Sequence, residues 1–260
     1  MRALESLGLL KKVCNVRFFP GSKLLVPLDW NWYWSSAELS QYEPTTLRAF
    51  TDKVKTAAPG PAIFLDCGAH IGLVSHYVAQ TCSNVESTWA FEPNAALFPV
   101  LQANCQRAGH PATPVAKALS DFTGMARLVI PEGNDDGAYI LPDEQGDIAV
   151  VRIDDMGLPG SRSVIMKIDV EGSELAILKG AQALLRQAPS FVVLFEAHKE
   201  VMERTGIDPM ECVRFLNQLR PCRWMPSSLP EVELDLDKPF FSQVTGYTKR
   251  DVIVWSSDSR

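Results

Sequence analysis

The sequence predicts an α/β protein whose core is a mostly parallel seven-stranded sheet with helices on both faces, preceded by an N-terminal cap. Two segments carry this prediction, residues 63–79 (IFLDCGAHIGLVSHYVA) and residues 164–185 (VIMKIDVEGSELAILKGAQALL). In each, an apolar run rich in β-branched residues ends in an acidic residue, passes through glycine and continues with apolar residues at helical spacing. In a doubly wound sheet such strand-to-helix turns lie at the carboxyl edge, where ligands bind. Both turns are therefore expected to face one cleft.

The remaining elements alternate between strand and helix patterns. The first helix is predicted over 45–57, and Pro59, Gly60 and Pro61 end it before the first strand. In chain order the further predictions are strand 63–65, helix 71–80, strand 88–91, helix 95–108, strand 113–118, irregular or β-like sequence to 140, strand 164–168, helix 174–187, strand 191–196, helix 209–219 and strand 251–255. This alternation is typical of a parallel α/β sheet.

The chain is predicted to divide into a cap or lid segment at 1–60 and a single domain at 61–260. The domain has its core at 61–200, and 201–260 supplies the last strands and an elaboration on the substrate side. Large aromatic residues cluster at 30–34 (WNWYW). We interpret this cluster as part of a cap packed over the sheet edge, and the alternative is a lid or a substrate wall. Such a cluster would also serve the interface of a homo-oligomer.

The composition excludes several classes of protein. The chain has 25 Lys and Arg against 31 Asp and Glu, a net charge of −6, and its cations are scattered. This argues against a nucleic-acid backbone as partner. The six cysteines lack the close pairs of a zinc site and the density of a disulfide scaffold, which indicates reduced thiols and a cytoplasmic protein. We expect neither a signal peptide nor a membrane span, because the apolar runs are too short.

The turn after the first core strand predicts the cofactor. Gly68 lets the backbone come close to a ligand, with Ala69 and His70 beside it, and Gly72 lets the next helix pack. A dinucleotide site prefers three glycines around a pyrophosphate, whereas Asp66 would repel a pyrophosphate and attract a sulfonium or ammonium group. The turn therefore favours S-adenosylmethionine over NAD, and the alternative is an ordinary turn that binds nothing.

Two further acidic residues follow the next strands. Glu92, in WAFEPN, lies where a ribose-binding acid belongs, because a carboxylate there accepts hydrogen bonds from both ribose hydroxyls. The alternative for Glu92 is a helix N-terminal acid before Pro93. Asp121, in AKALSD, is predicted to accept a hydrogen bond from the adenine amino group, and the alternative is a turn-forming aspartate.

These blocks together resemble the FkbM family of S-adenosylmethionine-dependent methyltransferases over roughly residues 45–200. The similar segments are LDCGAHIG, WAFEPN, AKALSD, VRIDDM, MKIDVEGSELAILKGA and FEAH, in the family's order. The resemblance implies a Rossmann-like class I methyltransferase fold and methyl transfer from S-adenosylmethionine. It most often implies a hydroxyl acceptor in a carbohydrate or secondary metabolite. His70 departs from the family, which often has asparagine there.

Methyl transfer requires an aligned acceptor, a dry site and a route for one proton. Asp169 ends a strand beside the expected methyl position, so we predict that it is the general base or orients the acceptor. The alternative is that Asp169 caps the following helix. Lys167 shares a strand face with Asp169, where an ion pair would hold Asp169 ionised, and the alternative is a lysine at the solvent-exposed end of the strand. Glu171, Glu196 and His198 are predicted to complete the acceptor side.

Alternatives to this chemistry remain open. Two carboxylates and a histidine also suit a divalent metal, but no H-x-x-x-H pair supports one and no metal is predicted. His198 is alternatively a surface residue at a strand end, and the position of Glu174 is explained by the helix dipole. The predicted function is O-methylation of a small-molecule or glycan acceptor. The alternatives are N-methylation of an amide or amine on a peptide or amino sugar, and a non-catalytic scaffold with this fold.

Overall fold

A computed structural model describes residues 13–17, 23–27, 44–107, 109, 111–131 and 137–257. The aromatic cluster at 30–34 lies outside the described residues, so its predicted role stays a prediction. The strands are β1 (Val13–Val16), β2 (Leu24–Pro27), β3 (Ala62–Cys67), β4 (Val85–Phe91), β5 (Ala112–Val115), β6 (Ala118–Leu119), β7 (Gly124–Val129), β8 (Tyr139–Pro142), β9 (Ile148–Val151), β10 (Ser163–Ile168), β11 (Phe191–His198), β12 (Cys222–Pro226) and β13 (Lys249–Ser256). The α-helices are α1 (Pro44–Ala57), α2 (Leu73–Thr81), α3 (Phe98–Arg107), α4 (Glu174–Gly180), α5 (Gln182–Gln187), α6 (Lys199–Thr205), α7 (Met210–Leu219) and α8 (Phe240–Gln243).

Seven strands form the central sheet, in the spatial order β5, β4, β3, β10, β11, β13, β12. The first five of these are mutually parallel, and β13 runs antiparallel to both β11 and β12. The chain begins the parallel sheet at its centre with β3, moves outward to β5, and then returns to the other side of β3 with β10. This reversal is a topological switch point, where the loops after β3 and β10 diverge and leave a crevice. The mostly parallel seven-stranded sheet of the sequence prediction is confirmed.

Helices cover both faces of this sheet, which is why its central strands are almost continuously apolar. On one face Phe64 of β3 packs with Phe50 of α1, their ring centroids 6.4 Å apart. On the other face Leu65 belongs to a cluster with Leu178 of α4 and Leu216 of α7. Alternation along a strand sends neighbouring side chains to opposite faces. The prediction of helices on both faces is therefore confirmed.

A second sheet, of four strands in the order β6, β9, β7, β8, is inserted between β5 and β10. Much of this region was predicted from the sequence only as irregular or β-like. Gly180 at the end of α4 fits against it, since a Cβ there would lie 2.1 Å from the carbonyl oxygen of Ser120. The inserted sheet is therefore held directly against the core, and its strand β8 reaches the ligand-binding edge.

The N-terminal strands β1 and β2 form an antiparallel hairpin that hydrogen bonds from α3 join to the core. Asn104 of α3 accepts a hydrogen bond from the Leu25 backbone N–H (2.8 Å) and donates to the Leu25 carbonyl (3.0 Å). Its amide also donates to the carbonyl of Ile71 (2.8 Å). Asn104 thereby joins the hairpin, α3 and the turn after β3.

Several elements differ from the sequence prediction. The predicted helix 174–187 is two helices, because Ala181 has φ −113° and ψ 8° and interrupts the helix between them. The strand β12 and the helix α6 were not predicted, since both are short and flanked by polar sequence. Within the part of the chain that the structure describes, no helix has the length and apolar character needed to cross a bilayer.

Candidate active site

A cleft opens at the carboxyl edge of the sheet, around the ends of β3, β4 and β10. Further walls come from the β5–β6 connection, the inserted sheet and the start of β13. The residues that line the cleft include Gly68, Ala69, His70, Glu92, Asn94, Lys117, Leu119, Tyr139, Lys167, Asp169, Glu171 and Lys249. The two turns singled out in the sequence therefore do face one cleft.

The turn after β3 needs glycine because the loop after β10 passes over it. Gly68 has φ 78°, and a Cβ on it would lie 2.0 Å from the Asp169 carbonyl oxygen. The backbone at His70 is constrained as well, because His70 is a non-glycine residue with φ 57°. Burial, reinforced by the charge of Lys167, lowers the pKa of His70 to about 4, so its imidazole is neutral at pH 7. The close approach predicted at Gly68 thus involves the protein's own backbone.

Glu92 is a buried carboxylate in the wall of the cleft. Its Oε2 accepts a hydrogen bond from the His70 backbone N–H (2.9 Å), and its Oε1 accepts one from the Asn94 backbone N–H (2.8 Å). Burial raises the pKa of Glu92 to about 7, although these two hydrogen bonds lower it. Each carboxylate oxygen has a further lone pair to offer. The side chain is therefore fixed as a bidentate acceptor suited to a pair of vicinal hydroxyls.

Lys167 connects the two turns. Its Nζ donates to the Gly68 carbonyl (2.8 Å) and lies 3.3 Å from Oδ2 of Asp169 and 3.9 Å from Oδ1 of Asp66. Burial alone would lower the pKa of Lys167, but the two carboxylates raise it overall. Asp66 is fully buried, and its Oδ2 accepts a hydrogen bond from Oγ of Ser75 (2.5 Å). Burial raises the pKa of Asp66. Asp66 thus lies behind the cleft wall and faces Lys167.

Three carboxylates meet at the edge of the cleft, where Asp169 and Glu171 line it and Glu196 lines a neighbouring cavity. Oxygen atoms of Asp169, Glu171 and Glu196 all lie within 4.8 Å of one another. Lys249 forms an ion pair with Glu196. Burial alone would raise the pKa of Asp169, but Lys167 and Lys249 lower it overall, whereas burial and the charge of Asp169 raise the pKa of Glu196. Asp169 is therefore the member of the cluster that stays ionised.

The loop that carries Glu171 is held in an uncommon conformation. Glu171 has φ 57° and is followed by Gly172 at φ 113°. Glu174 accepts hydrogen bonds from the backbone N–H groups of Gly172 (3.0 Å) and Val170 (3.4 Å). The loop is thus fixed by Glu174. Strained conformations of this kind concentrate at functional sites.

Residues 66–220 match the Methyltransferase FkbM domain. The chain belongs to the FkbM methyltransferase family. A curated relative, the hexuronic acid methyltransferase AglP of Haloferax volcanii, is 30% identical over 162 residues, which are 61% of this chain and 62% of that protein. The chain thus spans about 62% of the length of this relative.

Solved methyltransferase structures resemble this FkbM-family chain only distantly. The SAM-dependent methyltransferase from Agrobacterium tumefaciens has a TM-score of 0.48 and 9% identity, covering 96% of this chain and 71% of that one. M. jannaschii TYW2 in complex with AdoMet has a TM-score of 0.42 and 12% identity, covering 94% of this chain and 84% of that one.

The cleft of this FkbM-family chain fits S-adenosylmethionine. Glu92 offers two fixed acceptor oxygens for the ribose hydroxyls, and the turn at Gly68–His70 supplies backbone that a ligand can approach. When bound, the cofactor supplies a methyl group on a sulfonium, which is an electrophile for direct displacement. Asp66 does not line the cleft, and it affects this site through its ion pair with Lys167.

The other predicted site residues of this FkbM-family chain lie outside the main cleft. Gly72, with φ 86°, packs against Leu101, since a Cβ on it would lie 3.0 Å from Cδ1 of that leucine. Asp121 is exposed beside Ser120, whose hydroxyl donates to it (3.3 Å). His198 and Glu196 both line a small neighbouring cavity at α6. The roles predicted for Gly72, Asp121 and His198 in ligand contact stay predictions.

The walls of the main cleft also include polar residues that were not singled out from the sequence as ligand contacts, among them Asn94, Lys117, Tyr139 and Lys249. Asn94 lies two residues after Glu92 in the WAFEPN segment, so its proximity could have been anticipated. Lys249 and Tyr139 come from β13 and β8, far from either motif in the chain. No local pattern marks them, because only the tertiary fold brings them to the cleft.

Replacing Glu92 with alanine is expected to weaken S-adenosylmethionine binding by about tenfold or more, because hydrogen bonds to a charged group contribute roughly 1.5–3 kcal/mol. Calorimetric titration measures the change. Affinity in the unaltered protein should also rise as the pH increases through about 7, because the ionised carboxylate is the better double acceptor. This pH dependence should disappear in Glu92→Gln.

Glu86→Ala is the matched control, because Glu86 lies on the same strand with an exposed side chain paired to Arg162. It should leave cofactor affinity unchanged. Equal affinity in Glu92→Ala and the unaltered protein would remove Glu92 from the cofactor site.

Proposed function

We propose that this protein transfers the methyl group of S-adenosylmethionine to a hydroxyl oxygen of a carbohydrate. The observation that carries the proposal is the ionised carboxylate of Asp169 in the cleft wall, held by Lys167 and beside Gly68. A hydroxyl must lose a proton as its oxygen is methylated, so a fixed carboxylate at this place favours an oxygen acceptor. The hexuronic acid named for the relative from Haloferax volcanii supports a carbohydrate.

The residues of the cleft divide the work of such a transfer. Asp169 accepts the hydroxyl proton through the carboxylate that Lys167 orients at 3.3 Å. A lowered pKa makes Asp169 a weak base for a free alcohol, but the alcohol becomes far more acidic as its bond to carbon forms. Lys167 also fixes the Gly68 carbonyl, so the base and the cofactor turn share one rigid support. Oxygen atoms of Glu171 and Glu196 lie within 4.8 Å of that of Asp169, and burial raises the pKa of both, so either can receive the proton from Asp169.

The test is methylation of matched acceptors by the purified protein. A hexuronic acid glycoside, the corresponding neutral hexose glycoside, the corresponding amino sugar and a peptide amine are each supplied with S-adenosylmethionine labelled on its methyl group. We expect the label on a sugar hydroxyl oxygen, located by mass spectrometry of the product. Label on nitrogen only would replace the proposal with N-methylation. Binding of NAD in place of S-adenosylmethionine would overturn it entirely.

A further inference from the structure

One side chain links the inserted sheet to the far wall of the cleft. Tyr139 of β8 lines the cleft, and the guanidinium carbon of Arg204 lies 3.9 Å from the centroid of its ring. Arg204 belongs to α6, which follows β11 in the central sheet. A cation at this distance over an aromatic face is attracted by the ring's quadrupole. The Tyr139 ring is therefore held in place from one face.

Arg204 also contacts the loop that carries Glu171, so Tyr139 lies at the end of the cleft where that loop lies. Nη2 of Arg204 donates to the Glu171 carbonyl (2.5 Å), and the Glu171 carboxylate lies within 4.8 Å of those of Asp169 and Glu196. Tyr139 is thus attached to the loop of the proposed base. Glu92, the ribose acceptor, is fixed by different backbone groups, those of His70 and Asn94.

Chemistry indicates what such a ring would bind. With Arg204 on one face, the surface that Tyr139 contributes to the cleft is its remaining face and edge. A pyranose has an apolar C–H face that packs on an aromatic ring, while its hydroxyls stay free for polar groups around it. The carboxylates of Asp169 and Glu171 stand at this same end of the cleft.

We propose that Tyr139 is the platform on which the sugar ring of the acceptor packs, and that Arg204 positions it. This inference rests on the proposed carbohydrate O-methylation. Arg204 fixes both the ring and the Glu171 carbonyl, so the angle between the sugar plane and the proposed base depends on this one side chain. Tyr139 is then a determinant of acceptor affinity, and Arg204 is a positioning residue.

Steady-state kinetics with the carbohydrate acceptor tests the platform. Tyr139→Leu should raise KM for the acceptor by about tenfold, because leucine lacks the flat aromatic face on which the sugar would pack. Tyr139→Phe keeps the ring and should stay within about threefold of the unaltered protein. The dissociation constant for S-adenosylmethionine, measured by calorimetry, should be the same in all three proteins and shows that each is folded.

The positioning role is tested by the pair Arg204→Met and Arg204→Lys. Arg204→Met removes the cation over Tyr139 and the donor to the Glu171 carbonyl, so it should raise acceptor KM and lower kcat together. Arg204→Lys keeps a cation and a donor, so its KM and kcat should be close to those of the unaltered protein. Tyr247→Leu is the matched control, because Tyr247 also stacks with an arginine, Arg250 at 3.4 Å, but is not among the residues that line the cleft. It should leave acceptor KM unchanged.

The outcomes separate this inference from the proposed function. If the unaltered protein methylates a carbohydrate and Tyr139→Leu leaves acceptor KM unchanged, the platform is wrong and the proposed function stands. Weakened S-adenosylmethionine binding in Tyr139→Leu, with acceptor KM unchanged, would assign the ring to the cofactor and overturn the inference. If the unaltered protein binds the cofactor but methylates no carbohydrate, both proposals fall.

Discussion

Replacing Asp169 with asparagine is expected to slow methylation of a hydroxyl acceptor by about a hundredfold or more, the range that general base catalysis contributes. Asparagine has nearly the same shape and keeps one oxygen in the cleft wall, but it cannot take the acceptor proton. Lys167 would still donate to the Gly68 carbonyl, so the turn after β3 should keep its geometry. The loss should therefore appear in kcat, with little change in the dissociation constant of S-adenosylmethionine.

Single-turnover rates with saturating cofactor measure this loss without interference from product release. Asp52→Asn, on the exposed side of α1, serves as control and should retain full activity. A reduction of less than about fivefold would be too small for loss of a general base, and would point to an amine acceptor, which carries its own lone pair. The same measurement with hydroxyl and amine forms of one sugar therefore separates the two candidate acceptors.

The pH profile offers an independent check on which carboxylate is the base. Lys167 and Lys249 lower the pKa of Asp169 against the effect of burial, so this group remains ionised when the pH falls below the usual range for aspartate. If Asp169 alone is the base, the rate should therefore not fall as the pH is lowered through the neutral range. Burial raises the pKa of Glu171, so a base at that position would instead lose activity at a higher pH than a base at Asp169.

The sequence predicted the acids at the strand ends well, and it predicted their orientation poorly. Asp66, Glu92 and Asp169 each end a parallel strand, and a strand's carboxyl end can be recognised from the glycine turn that follows it. Whether such a side chain enters the cleft depends on the local backbone. Glu92 and Asp169 line the cleft, but Asp66 lies beneath it, because its strand neighbour Lys167 and the Ser75 hydroxyl face it from the interior.

The remaining parts of the site depend on long-range packing that no local pattern encodes. Lys249 reaches the cleft because β13 inserts antiparallel beside β11, which pairs residue 249 with His198. Tyr139 reaches it because the chain between β5 and β10 folds into a separate sheet. Periodicity finds helices and buried strands of ordinary length. The strands of the inserted sheet are short and only partly buried, so they carry too weak a signal.

Replacing Lys167 with methionine is expected to lower the free energy of unfolding by about 3–5 kcal/mol, the cost of leaving a buried charge without its partner. One ammonium faces both Asp66 and Asp169, so its removal leaves two carboxylates close together with burial unopposed. The Gly68 carbonyl would lose its donor as well. Methionine has a similar length and keeps the packing of the lysine stem, so the effect is chiefly electrostatic.

The pH dependence of that loss identifies its cause. Without Lys167 the pKa of Asp66, which burial already raises, rises further, and Asp169 loses the nearest charge that lowers its pKa, so the folded state takes up protons as the pH falls. The deficit in Lys167→Met should therefore be largest at pH 8 and shrink toward pH 5, as urea denaturation at each pH would show. Lys55→Met is the control, because Lys55 pairs with Asp52 on an exposed helix face and its loss should cost less than about 0.5 kcal/mol. If the loss of unfolding free energy were independent of pH, Lys167 would stabilise the contact between the turns after β3 and β10 by packing and not by its paired charges.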